Sequence, residues 1–471
     1  MSLKKFILGF ILGAAVVAVA LMAYNYACLY WRPYHNYPPL NTSISLDSTN
    51  LPILMINTNG TSLRRKDYKT VEMVIIDNGE GKLNYADTLR WKKQKVDYRG
   101  EIAIRYRGNS SFNRSEKKSY AIRPLGPNGK KKKTSLLGMK KSKKWALQAY
   151  HTDRSLIRNS LMYELARPNF DYVPHSKHCE VIIDGAYYGV FVLSEQNTLD
   201  RLGIKKAKGS DTDLTGGYMI QFEAVSQISQ DAHPSKYWNV QYIYEEPDEK
   251  ITKEQKAYVD KLIDSMEDAF YKKDFATISK LVDVESLINY QLAVELSHNM
   301  DGYVRSVYLY KDKDKNDPRF KILLWDFDLT FGNSNYRDGW RYDTYRLYDD
   351  SLRVKLKGQY DEHHFLWGRL MEIPEYTGML KAAWRKYRQE NYSDEHIFHV
   401  LDSLSSTLSA VNAVERNAMS WQVFYDDASS IKTPNYIWPN KYISSTYDDE
   451  INYLRDWLEE RLKWLDSHLL D

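Results

Sequence analysis

The sequence predicts an α+β protein of two lobes, a β-rich lobe followed by a mostly helical one, behind a single apolar N-terminal segment. Three observations predict it. Short runs with strand-like alternation crowd residues 51–193. Apolar residues recur at helical spacing from about residue 252 onward. Between those helices a hairpin is inserted over 303–325, with an aspartate at each end.

Lys4 and Lys5 precede an uninterrupted apolar run over 6–23, close to the ~20 residues a helix needs to cross a bilayer. Positive charge ahead of the run predicts a cytoplasmic N-terminus, with the bulk of the chain outside the cytoplasm, membrane-anchored or exported. Tyr24, Tyr26, Tyr30 and Trp31 suit the membrane interface. Ala18, Val19 and Ala20 also have the form of a signal-peptidase site, and Cys28 that of a lipid acceptor. All three alternatives export the chain. Residues 32–50 are rich in Pro, Asn, Ser and Thr and read as a linker. The expected division is a segment 1–24, a linker 25–50, a β-rich lobe 51–198, a lobe 199–360 carrying the hairpin, and a helical extension 361–471.

Residues 51–57 open the β-rich lobe, and 71–76, 100–106, 119–123 and 144–149 follow as strands. Asp153 is expected to cap a helix over 154–167 that stops before Pro168. Strands at 179–183 and 187–193 meet at Asp184 and Gly185. Thr252 and Gln255 have capping-box spacing, opening a helix that turns Val259, Ile263, Met266 and Phe270 inward. The next helix, 286–299, stacks Ile288, Leu292 and Leu296 and delivers Asp301. From 363 to 471 the pattern is helical, with Ile451, Leu454, Leu458, Leu462 and Leu465 forming one core stripe. There is no internal repeat.

Composition narrows the function classes. A net charge of +4 gives no ground for a nucleic-acid partner. The 38 tyrosines and 12 tryptophans suit either a Tyr-rich core or a broad contact surface. Two cysteines, Cys28 and Cys179, give no disulfide framework and no cysteine zinc site. Neither a Walker A loop nor a G-x-S-x-G elbow is present.

The hairpin is where chemistry concentrates. Asp301 precedes its first strand, and Asp326 and Asp328 follow its second in the WDFDLTFG run at 325–332. Folding back brings both ends together, and acidic groups gathered there suit a divalent metal and phosphate handling. In phosphoryl transfer one carboxylate positions or deprotonates the acceptor hydroxyl while another holds the metal. The order helix, Asp, hairpin, Asp is similar to the one protein kinases use for those roles. Asp326-x-Asp328-x-Thr330 also matches the nucleophile motif of haloacid-dehalogenase-type phosphatases. That fold needs a parallel sheet, whereas a short turn forces antiparallel pairing. The RGNSS turn at 107–111 can present backbone N–H groups to phosphate oxygens, with Lys117, Lys118 and Lys144 as candidate partners. Asp312, Asp314 and Asp317 lack the glycine and glutamate of a calcium loop and read as turn residues.

Taken together, RGNSS at 107–111, KKSYAIR at 117–123, DRSLIRN at 153–159, YGVFVLSE at 188–195, Asn299 with Asp301, and WDFDLTFG at 325–332 resemble the CotH family of spore-coat kinase-like proteins. The resemblance runs from about residue 51 to the C-terminus. It implies a two-lobed protein-kinase-like fold that uses ATP and magnesium or manganese to phosphorylate a protein substrate. It implies Asp301 as the catalytic aspartate, Asp326 as the metal ligand and Asp328 as an accessory one. It also places Arg107, Lys118 and Arg158 toward the nucleotide and Glu195 where the hinge between lobes starts. Kinase catalytic loops carry Asn five residues after the aspartate; here that residue is Ser306. The alternative function is a catalytically weak surface scaffold or glycan-associated module.

Overall fold

The computed structural model describes residues 39–470, apart from 109–110, 113–114, 225–231, 239, 248–250, 335–337, 349–352, 357–358, 365 and 422–443. The apolar N-terminal segment and Cys28 therefore lie outside the described residues. Among the described residues no helix is long and apolar enough to cross a membrane.

A short ribbon pairs β1 (Ser48–Thr49) with β4 (Asn84–Tyr85). The strands around it close into a barrel: β2 (Ile53–Asn57), β3 (Lys69–Ile76), β5 (Val96–Arg107), β6 (Ser119–Pro124), β7 (Trp145–Gln148), β9 (Ala186–Glu195) and β8 (Ser176–Ile183), neighbours in that order. β8 runs parallel to β2 and shuts the ring, which removes the free edges a β-rich chain must otherwise protect. The period of two puts alternate residues inside: Val71, Met73 and Ile75 from β3, Ile102 and Ile104 from β5, Phe191 and Leu193 from β9. Cys179 is buried there too, and burial pushes its thiol up to about 12, so it behaves as a small apolar core residue.

Lys117 is a buried cation on this barrel. Its Nζ donates to the Val190 carbonyl at 2.6 Å and to Asn417 Oδ1 at 2.9 Å, and lies 4.8 Å from the Phe191 ring centre. These partners are neutral, and burial lowers the amine to about 7. Between pH 7 and the ordinary lysine range the unfolded chain therefore binds the proton that the folded chain has released, so stability rises with pH across that window. Wild-type unfolding free energy, measured by urea denaturation, is expected to gain about 2 kcal/mol more between pH 7 and pH 9 than that of Lys117→Met. Equal pH slopes would remove this account of Lys117.

The second sheet holds β10 (Tyr218–Ala224), β11 (Ala232–Pro234), β12 (Val240–Glu246), β13 (Val307–Lys311) and β14 (Lys321–Leu323) in the order β11-β12-β10-β13-β14. All its pairings are antiparallel. A ribbon of β15 (Arg353–Leu356) and β16 (Gln359–His364) follows. Residues 363–364 thus belong to a strand, and the C-terminal run of helices begins at Trp367, because Asp361, Glu362, His363 and His364 are four consecutive polar residues that give a helix no apolar face.

The helix expected over 154–167 begins later, as Arg158–Ala166. Asp153 does organise its entry. Its carboxylate accepts the N–H groups of Ser155 at 3.0 Å and Arg158 at 2.9 Å, and Leu156 between them has φ +61°. The acceptor thus holds residues 154–157 in turns, and regular helix starts where the second bond lands. The Lys253–Lys272 helix opens on the capping box of Thr252 and Gln255 and buries Val259, Ile263, Met266 and Phe270. Helices Val284–Ser297 and Tyr447–Leu469 share that core through Ile288, Leu292 and Leu296 and through Leu454, Leu458, Leu462 and Leu465, with Ile451 at its margin. The architecture is mixed α+β.

Candidate active site

The Val284–Ser297 helix starts on Asp283, whose carboxylate accepts the Ser286 N–H at 2.9 Å, and stops at His298, where φ is +49°. The next residue, Asn299, joins the acidic segments. Its Oδ1 accepts the Asp301 N–H at 3.1 Å, and its Nδ2 donates to the Asp326 carbonyl at 3.2 Å. The Asp301 carbonyl accepts the N–H groups of Val304 and Arg305 at 2.9 and 2.8 Å, curling the chain back into β13. β13 and β14 pair Tyr308 with Leu323, Leu309 with Ile322 and Tyr310 with Lys321. That register brings Ser306 to the exit of β14, where its Oγ donates to Asp326 Oδ2 at 3.2 Å. Ser306 and Asp326 both hold positive φ, +55° and +67°, a strained conformation for residues with a side chain.

The loop after β14 is fixed by side-chain amides. Asn159 Oδ1 accepts the Phe327 N–H at 2.9 Å, Asn197 Nδ2 donates to the Leu324 carbonyl at 3.1 Å, and Asn333 Nδ2 donates to the carbonyls of Asp328 at 2.8 Å and Thr152 at 3.1 Å. Thr152 Oγ1 also donates to Asp328 Oδ2 at 3.4 Å.

Acidic groups crowd together at this place. Asp326 keeps an exposed side chain, yet the surrounding protein and then the Asp301 charge raise its carboxyl above the usual range, opposed by Arg107 and by the Ser306 hydroxyl. The Asp328 carboxyl is raised further, first by burial, then by Asp326, Asp153 and Asp301. Arg107, the last residue of β5, sets its guanidinium 5.2 Å from the Trp325 ring centre. Its Nη1 is buried without a hydrogen-bond partner among the described residues. Arg305 Nη1 reaches Asp301 Oδ1 at 3.1 Å.

The expected residues therefore divide. Asp301, Asp326, Asp328 and Arg107 converge. Lys118 instead donates to the Phe112 carbonyl at 2.6 Å and lies over the Phe112 ring. Lys144 contacts Glu246 at 3.2 Å. Arg158 is sealed between Asp153 and Glu450, 2.7 Å from each, with no exposed surface to offer a nucleotide. Glu195 is buried too. Burial alone would raise its carboxyl, but bonds from His175 and Tyr172 and the Arg201 charge hold it below the usual range. Glu223 on β10 is the site residue that sequence reasoning passed over: its carboxylate accepts the Ser306 N–H at 3.2 Å. Burial pushes that acid up to about 7, with Ser306 and Arg305 opposing and Asp301 adding.

Among the described residues no group of three or more His, Cys, Asp or Glu side chains is gathered to hold a metal by itself. Two neighbouring carboxylates whose ionisation is disfavoured, first by desolvation and then by the other acids beside them, do fit a hard cation that arrives with phosphate. Magnesium takes one or two protein carboxylates and completes its shell with water and phosphate oxygens. A phosphatase built on Asp326 as nucleophile loses its context, since the strand leading to Asp326 pairs antiparallel with β13.

Comparison with known proteins covers these same residues. The chain matches the family model described as CotH kinase protein over residues 104–465, a span that starts inside β5 and includes every acid named above. It is 24% identical over 297 residues to the inner spore coat protein H of Bacillus subtilis (strain 168), an alignment covering 63% of this chain and 74% of that protein. The motifs of the barrel and the hairpin thus have their counterpart in a family match over most of the sequence, and the chain belongs to the CotH family.

Proposed function

We propose that the chain is an ATP-dependent phosphotransferase acting on hydroxyl groups of a protein substrate, with its barrel and its helical part serving as the two lobes of a kinase-like enzyme. The observation that carries this reading is the convergence of Asp301, Asp326 and Asp328 beside Arg107. Asp301 orients the acceptor hydroxyl and takes its proton, with Arg305 fixing one carboxylate oxygen. Asp326 and Asp328 hold magnesium or manganese, which supplies neutralisation of the phosphate charge. Arg107 offers a phosphate oxygen an N–H that is unpartnered among the described residues. Lys118, Lys144, Arg158 and Glu195 have no part here, since each is engaged within the protein. The spore-coat relative and the apolar N-terminal run support a place in the cell envelope, outside the cytoplasm.

Ser306 favours a second reading, a scaffold of weak activity, because a hydroxyl replaces the amide oxygen that kinases place there. Incubation with labelled ATP, magnesium or manganese, and serine- and tyrosine-containing acceptor proteins separates the two. Phosphoester label on the acceptor is the expected result. Absence of label, together with no rise in melting temperature on adding ATP and metal, would leave only the scaffold.

A further inference from the structure

We propose that Glu223 is a positioning residue of this centre, one carboxylate that sets Asp301 and Asp326 together through the adjacent pair Arg305 and Ser306. The inference rests on the phosphotransfer reading and goes past it in assigning a role to a residue on a different strand. Glu223 reaches the site through the sheet. β10 and β13 pair Phe222 with Val307 as the last rung, so the next residue of β10 falls beside Ser306.

Each carboxylate oxygen then has its own task. Oε2 accepts the Ser306 N–H at 3.2 Å and is itself held by Gln221 Nε2 at 2.9 Å. Oε1 faces Arg305 Nε at 3.7 Å. From those two residues the path forks. Arg305 Nη1 bonds Asp301 Oδ1 at 3.1 Å, and Ser306 Oγ bonds Asp326 Oδ2 at 3.2 Å. Ser306 holds φ +55°, which a non-glycine residue keeps only when its surroundings impose it. The bond from its N–H to Glu223 is such an imposition, and it aims the hydroxyl at Asp326. Without the carboxylate the residue is free to relax to negative φ, which swings Oγ away and releases Arg305 from an acidic neighbour. An acid kept mostly out of solvent, facing an arginine as far off as 3.7 Å, is a costly way to finish a strand. The geometry it imposes on Ser306 and Arg305 is what that cost sustains.

Glu223→Gln keeps an oxygen for the Ser306 N–H but drops the charge facing Arg305, while Glu223→Ala removes both. In the full chain, Glu223→Ala is expected to lower kcat by about 10²-fold, the usual effect of displacing a reacting group by about 1 Å. KM for ATP should stay within about two-fold of wild type, and Glu223→Gln should fall between the two proteins. Hydrogen exchange at the Ser306 amide should quicken in Glu223→Ala and stay slow in Glu223→Gln. A role in stability alone would instead lower the melting temperature while kcat per folded molecule stayed constant. Unchanged kcat in both variants, or unchanged Ser306 exchange in Glu223→Ala, overturns the proposal. If wild type transfers no phosphate, the phosphotransfer reading fails by itself, and the exchange measurement still decides whether Glu223 pins Ser306.

Discussion

Asp326→Asn is expected to lower phosphate transfer by about 10³-fold or more while the folded protein becomes no less stable. The loss follows from charge. A carboxylate that anchors the metal contributes several kcal/mol of transition-state stabilisation, and about 4 kcal/mol corresponds to 10³ in rate. An amide oxygen carries none of that negative charge. The stability forecast follows from the same environment. Desolvation by the surrounding protein and then the Asp301 charge raise the Asp326 carboxyl above its unfolded value, so the charged form is disfavoured in the folded chain relative to the unfolded one. A group of this kind adds stability only as pH falls and withdraws it as pH rises, so a neutral isostere relieves the penalty at pH 7. Asparagine is the right replacement because residue 326 holds φ +67°, a conformation that Asn adopts as readily as Asp, whereas alanine adds backbone strain. Labelled-phosphate transfer and urea denaturation on the same preparation check both halves. Transfer at the wild-type rate would remove Asp326 from the mechanism.

Sequence and structure agree where the information is local. The capping box at Thr252 and Gln255, the buried stripe from Val259 to Phe270 and the hairpin around Lys311 all depend on residues a few positions apart. The meeting of Asp301 with Asp326 was legible for the same reason, since one hairpin carries both. Closure of the barrel was not. It rests on a parallel rung between Ile53 and Glu180, and no pattern within either strand names its distant neighbour. Glu223 was missed because its bond to Ser306 spans 83 residues. Arg158, Lys118 and Glu195 were legible as polar residues in family motifs, but a motif does not tell which group a side chain faces. Arg158 finds Glu450 across 292 residues, and that partner decides its role.

That pair supports the second large forecast: Glu450→Ala should cost about 3–5 kcal/mol of unfolding free energy. Arg158 is fully buried, and its Nη1 lies 2.7 Å from both Asp153 Oδ1 and Glu450 Oε1. Glu450 also accepts from the Ser444 hydroxyl and stands in the first turn of the Tyr447–Leu469 helix, where negative charge is favoured. Deleting it leaves a buried guanidinium with one carboxylate and opens a gap at the start of the last helix. The energy of the intact pair is a separate quantity, because two charges removed from water regain little net stability from each other. The double variant Arg158→Leu with Glu450→Leu should therefore recover part of what either single change loses, and the coupling measured by the four-protein cycle reports the pair itself. The same proteins decide what Arg158 does. As an internal anchor it can be replaced in the double variant with KM for ATP unchanged. A residue that holds nucleotide would raise that KM however well the protein folded, and a raised value would return Arg158 to the nucleotide site.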